Sequence, residues 1–199
     1  MTDRPFHHGN LRAVLLEEAE AVLRQDGVDG LSLRDLARRA GVSHGAPRSH
    51  FADRQALLDA LAERGFARLT TTVQRALAHD EPLRAQFDRV AHAYVDFAVD
   101  DAALMELMFQ AKTAAASAAV GEAATRLFGT LDAAMGPADP DDGTGARERF
   151  TLLFAASMQG IAALVASGRV PRARADALVD DAMEAMLTSD LGARAVTRH

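Results

Sequence analysis

Apolar positions along this chain recur at helical spacing. Leu11, Val14, Leu15, Ala19, Val22 and Leu23 share one face of a first helix that Asn10 can cap and Gly27 stops. Leu33, Leu36, Ala37 and Ala40 follow at i, i+3, i+4 and i+7, a second and shorter amphipathic helix. Its start is marked by Ser32 and, three residues on, Asp35, a capping box with Asp in place of Glu. Leu31 and Leu36 occupy the staple positions. Gly41 stands where a C′ glycine belongs, and Ser43 is placed to cap a third helix over residues 43–49, ending before Phe51. Asp53 caps a long helix to about residue 77, with Leu57, Leu58, Leu61, Phe66, Leu69 and Val73 as its apolar positions.

Pro82 suits the first turn of a helix over 83–99, and further helical stretches follow over 102–111, 117–135, 146–167 and 172–189. Residues 136–145, dense in Gly, Pro and Asp, read as a solvated loop. The pattern predicts an all-α protein of about nine helices. An N-terminal three-helix helix-turn-helix domain spans residues 1–54, and a larger helical domain spans 55–199.

Composition supports helices. Alanine fills 43 positions, while Ile161 and Tyr94 are the only residues of their kinds, so β-formers are scarce. The absence of cysteine removes disulfide scaffolds, thiolate zinc sites and cysteine nucleophiles together. HExxH, a phosphate-binding glycine loop and GxSxG are also missing, and the carboxylates read as solvated helix faces. No catalytic residue, metal site or cofactor is therefore expected, and the protein does not read as an enzyme. His7 and His8 lack a third ligand nearby and read as arm residues. No apolar run is expected to reach the ~18 residues of a membrane span, and the N-terminus shows no signal-peptide core, which points to a soluble cytoplasmic protein.

The net charge of −6 argues against a polyanion partner until it is divided along the chain. Residues 1–54 hold eight Arg against eight Asp and Glu, plus four of the seven histidines, so the whole deficit falls in the remainder. Two short capped helices around a Gly turn form a helix-turn-helix, whose second helix enters the DNA major groove. The same spacing also fits a plain helical hairpin. Arg34, Arg38 and Arg39 fall outside the apolar stripe, and the latter two suit either solvent or DNA.

The segments HHGNLR (7–12), LSLRDLARRAGVS (31–43), HF (50–51) and DRQALLDAL (53–61), with their spacing, resemble the DNA-binding domain of the TetR/AcrR family of bacterial transcriptional regulators. The segment YVDFAVDDAALMELMF (94–109) looks like the regulatory domain of a subgroup that later carries Trp-x-x-x-His-Gly. Here Ala155 replaces the Trp and Gln159 the His, while Gly160 is kept, so no role of those two side chains carries over. Where the family usually shows Tyr-Arg-His-Phe, this chain has Arg48-Ser49-His50-Phe51, and Arg54 stands where lysine is usual.

The resemblance implies a transcriptional regulator, a repressor that binds a palindromic operator in double-stranded DNA as a homodimer and is released by a small effector. Ser32, Ser43, His50 and Arg54 fall at phosphate-positioning places, and Arg34 at phosphate or base. His44, Gly45, Arg48 and Ser49 face base edges, with Arg48 also suited to a phosphate. Phe66, Phe87, Tyr94, Met105, Met108, Phe109, Phe128, Phe154 and Met158 are the candidates for a largely apolar effector site, and each also fits as plain core. His92, Ser157 and Gln159 join Tyr94 as candidate orienting groups. A dimer is expected through 146–167 and 172–189, where Ala155, Ala156, Gly160 and Ala163 permit close approach. The rival reading is a helical small-molecule or partner-binding protein whose DNA contacts have decayed, motivated by the Arg48-Ser49 departure.

Overall fold

The computed structural model describes residues 11–78, 81–113, 117–137 and 145–196; Asn10, His7, His8 and most of the 136–145 loop lie outside them. Among the described residues the elements are all helical: α1 (Leu11–Asp26), α2 (Leu33–Arg39), α3 (Arg54–Leu77), α4 (Leu83–Asp100), α5 (Ala102–Thr113), α6 (Ala118–Ala134), α7 (Ala146–Ala166), α8 (Ala175–Thr188) and α9 (Asp190–Ala195).

They form two compact units. The first holds the residues up to Gly65 together with Ala103–Gly121; the second holds Phe66–Ala102 and the residues from Glu122 onward. The division thus falls inside α3 rather than at the 54/55 boundary read from the sequence. At Gly65, the last residue of the first unit before that point, the approach to α5 is close: a Cβ there would lie 2.6 Å from Met108 Sδ and 3.2 Å from Leu104 Cγ. A larger residue at 65 would have to displace the Met108 side chain, so the glycine lets α5 pack closely there, and α5 belongs to the first unit.

In the first unit Leu15, Ala19, Leu23, Leu36, Leu57 and Leu61 are buried together with one carboxylate, Glu20. A buried charge is costly unless paired. Glu20 meets Arg64 Nε at 2.9 Å and Arg24 Nη2 at 3.3 Å, which ties α1 to α3.

In the second unit α4, α7, α8 and α9 pack against one another. At its centre the Phe87 ring meets Phe150 and Phe154 edge-on, each at a centroid distance of 5.9 Å. Around that core α4 and the segment leading into α8 are joined by charge. Arg172 holds Asp96 at 2.8 Å and Asp100 at 2.6 Å, and Arg84 pairs with Glu184. The hydrogen bond and charge of Asp100, then the charge of Asp96, raise the Arg172 pKa and keep it cationic.

Three sequence expectations are corrected. First, α7 is 21 residues long and its most apolar window has a mean hydropathy of 1.5, so by length and composition it can cross a membrane. Thr151, Ser157 and Gln159 interrupt the run and hide it from a search for continuous apolar residues. Its burial is instead periodic, with Phe150, Phe154, Met158, Ile161 and Val165 buried while Leu152, Leu153 and Leu164 are exposed, the pattern of a helix packed on one side. Second, the region 172–189 is a 3-10 turn at Arg172–Arg174 followed by α8. Third, α9 continues beyond it. Ser189, with extended backbone, ends α8, and its hydroxyl caps α9 by accepting from Gly192 N at 3.1 Å.

Phe87→Ala removes both edge-on contacts, so it is expected to lower the unfolding free energy by about 3–5 kcal/mol. Urea denaturation followed by circular dichroism checks this; a loss below about 1 kcal/mol would contradict the assigned role of the aromatic cluster.

Candidate nucleic-acid interface

Both ends of α2 are held by local chemistry. Ser32 has the extended backbone of an N-cap, and its hydroxyl accepts from Asp35 N at 3.5 Å. At the other end of α2, Gly41 has a φ of 68°, its N–H donates to Arg38 O at 3.3 Å, and Val42 N donates to Ala37 O at 3.0 Å. Those paired bonds make a Schellman ending, which requires the left-handed conformation that glycine supplies.

The third element departs from the sequence reading. Residues 43–49 are not an α-helix; the chain turns through His44 and Gly45, and only Ala46–Ser49 are helical, as a 3-10 turn. Pro47 has no N–H to give, and the Ser49 hydroxyl donates to Ala46 O at 2.7 Å, competing for that carbonyl. Ser43 contributes to this turn through its backbone carbonyl, which accepts from Ala46 N at 3.0 Å, and not through its hydroxyl. Buried Pro47 and Phe51 anchor the turn from below, and the Arg12 guanidinium lies 5.5 Å from the Phe51 ring centroid.

Four of the nine proposed contact residues come together. Arg34, His44, Gly45 and Arg48, with Leu33, line an open cleft of about 460 Å³. Arg34, His44 and Arg48 are exposed and make no ion pair or side-chain hydrogen bond among the described residues. Ser43 and His50 are exposed but lie off the lining of the cleft. Ser32 and Ser49 spend their hydroxyls on caps and turns. Arg54 is engaged elsewhere: its Nε donates to Leu31 O at 3.0 Å and its Nη2 to Val28 O at 2.5 Å, tying the start of α3 to the turn before α2. Asp53 caps α3 as read, accepting from Ala56 N at 2.8 Å. Sequence reasoning missed Leu33, the Arg12–Phe51 contact and the Arg54 clamp; the last two join residues far apart in the chain and leave no local pattern.

The proposed effector residues do not gather within one unit. Met105, Met108 and Phe109 belong to the first; Phe66, Phe87, Tyr94, Phe128, Phe154 and Met158 belong to the second. Phe109 is 42% exposed, whereas Phe87, Phe154 and Met158 are fully buried. Tyr94 donates its hydroxyl to Gln159 Oε1 at 3.2 Å, and burial raises its pKa, so it stays a neutral donor. His92 lies on the charged rim, 2.9 Å from Asp180 and 3.4 Å from Asp176.

Comparison with known proteins agrees with this geometry. A solved protein of unknown function from Rhodococcus sp. RHA1 is 45% identical to this chain, with a TM-score of 0.80 over 92% of this chain and 97% of the other. The tetracycline repressor protein class A from transposon 1721 of Escherichia coli is 49% identical over 49 residues, 25% of this chain and 23% of the repressor. The uncharacterized HTH-type transcriptional regulator YobS of Bacillus subtilis is 29% identical over 93 residues, 47% of this chain and 48% of YobS. The matches to these two curated relatives thus span about a quarter and about half of their lengths. Residues 15–61 match the model of the bacterial regulatory proteins of the tetR family, and residues 87–189 match a tetracyclin repressor-like C-terminal domain. With both parts matched, the chain belongs to the TetR family of bacterial DNA-binding regulators.

Proposed function

We propose that this protein is a cytoplasmic transcriptional repressor that binds a palindromic operator as a homodimer and is released by a small, largely apolar effector. One observation carries the DNA-binding part. Arg34, His44 and Arg48 surround an open cleft without an acidic partner among the described residues. Arg64, Arg68 and Arg172, by contrast, are each matched to a carboxylate within 3 Å. Two unmatched arginines with a histidine beside them, on a domain of this family, fit the phosphate-lined wall of a duplex groove.

The dimer reading rests on α7 and α8. Leu152, Leu153 and Leu164 of α7 and Leu178 of α8 are exposed, and Ala156, Gly160 and Ala163 lie on the same exposed face of α7. A run of this length and apolarity favours a second copy over water, and two-fold symmetry matches a palindrome to one half-site per subunit. The effector reading rests on the aromatic and Met side chains of the second unit, with Tyr94 and Gln159 as a polar pair among them.

Arg48 is assigned to a backbone phosphate, because its guanidinium can hold that anion with two hydrogen bonds and a full charge. Arg48→Ala is then expected to weaken operator and unrelated duplex alike and to lower the salt slope of binding by about one. Fluorescence anisotropy at several salt concentrations reads both. Unchanged affinity removes Arg48 from the interface and favours the reading of a regulator whose DNA contacts have decayed; a loss confined to one base pair reassigns it to guanine.

Light scattering is expected to give twice the chain mass at micromolar concentration, and Leu153→Arg to shift that mass toward the monomer. A wild-type monomer, or a Leu153→Arg dimer as stable as the wild type, would contradict the α7 interface.

A further inference from the structure

The segment between α1 and α2 is weakly held by its own bonds. Gly27 enters it with a φ of 70°, and Val28–Gly30 form a single 3-10 turn. The backbone bonds are long, Gly30 N to Gly27 O at 3.3 Å and Leu31 N to Val28 O at 3.2 Å. The cap that follows is no firmer, with Asp35 N 3.5 Å from the Ser32 hydroxyl. So short a turn has little persistence of its own. The shortest bonds on it come from another element: the Arg54 side chain donates to Val28 O at 2.5 Å and to Leu31 O at 3.0 Å.

Arg54 is the first residue of α3, where a cation works against the helix dipole, and it pairs with no carboxylate among the described residues. Its charge does not serve α3; its bonds serve the segment that leads into α2. Leu31 is followed at once by the Ser32 cap and then by Leu33 and Arg34, the two residues that α2 gives to the cleft. The turn after α2 gives His44, Gly45 and Arg48. The place where α2 starts therefore decides how Arg34 stands toward Arg48.

We propose that Arg54 is a positioning residue for DNA binding, which acts through Arg34 by fixing the start of α2 and is not itself a phosphate ligand. This rests on the DNA-binding reading of the cleft. The two roles differ in what they ask of the side chain. A phosphate accepts either a guanidinium or an ammonium. Two carbonyls at a fixed spacing need the rigid fork of arginine, which a lysine lacks although it keeps the charge.

The experiment selects an operator from random-sequence duplexes with the full-length wild type. Fluorescence anisotropy at several salt concentrations then compares Arg54→Lys, Arg34→Ala and the double variant, at a temperature where circular dichroism shows them folded. Arg54→Lys is expected to copy Arg34→Ala, both in a loss of about fivefold or more and in its salt slope, although its own charge is kept. In the double variant the change at Arg54 should add no more than about twofold, because the side chain it positions is gone. Operator affinity of Arg54→Lys within about twofold of wild type overturns the proposal and leaves the DNA reading standing. So does a salt slope unlike that of Arg34→Ala, a double variant whose loss is the product of the two single losses, or an Arg34→Ala variant as tight as wild type. An Arg54→Lys chain that does not fold assigns Arg54 to the fold alone and overturns it as well. A wild type that enriches no duplex overturns the DNA reading itself, and the proposal with it.

Discussion

Four residues of 3-10 backbone, Ala46–Ser49, cannot hold a shape unaided, and the first unit is built so that they need not. The turn is pinned beneath by buried Pro47 and Phe51, and Phe51 is covered by Arg12 from α1. On one flank the Schellman ending at Gly41 sets the direction in which the chain leaves α2. On the other, Asp53 starts α3 and Arg54 fastens that start to the carbonyls of Val28 and Leu31. Each support is a short-range bond or a buried ring. Together they fix the backbone from which His44, Gly45 and Arg48 project.

The same unit shows how charge is distributed between holding the fold and meeting a ligand. Glu20 is buried, and two arginines answer it, one from its own helix and one from α3. Arg38 is matched to Asp35, and Arg54 is consumed by backbone carbonyls. Of what is left over on this surface, Arg34 and Arg48 stand at the cleft, while Arg39 is exposed outside its lining. A chain of net charge −6 can thus present a local cationic face, because its carboxylates are deployed elsewhere. Chain-wide charge is a poor guide to a site where a few unmatched cations suffice.

How much of this was legible follows the range of each interaction. Ser32, Gly41 and Asp53 act through partners within five residues, and the boundaries of α2 and the start of α3 could be read from the sequence. The helix over 43–49 could not be read correctly, because the pattern of its side chains says little about whether its backbone winds as α or 3-10. Pro47 and the competing Ser49 hydroxyl decide that through individual hydrogen bonds. Arg54 misleads for a different reason: a cation at a helix start looks like a phosphate ligand, while its actual partners lie 23 and 26 residues earlier in the chain. The membership of α5 in the first unit goes with its close approach to Gly65, another contact between distant residues. The apolar surface of α7 was visible as composition, but its division into a buried and an exposed stripe needed the packing.

Glycine shows why the folded chain adds information even where the sequence motif is plain. Gly41, Gly45 and Gly65 are identical letters. Gly41 answers to a left-handed turn, and Gly65 to the sulfur of Met108. Both demands come from inside the chain, and a side chain at either position would be resisted whatever the protein binds. At Gly45, as at Gly129, no such demand is visible, and Gly45 differs in lining the cleft beside Arg34 and Arg48. A glycine under no such demand can change without cost to the fold, so a substitution there tests the surface and not the core.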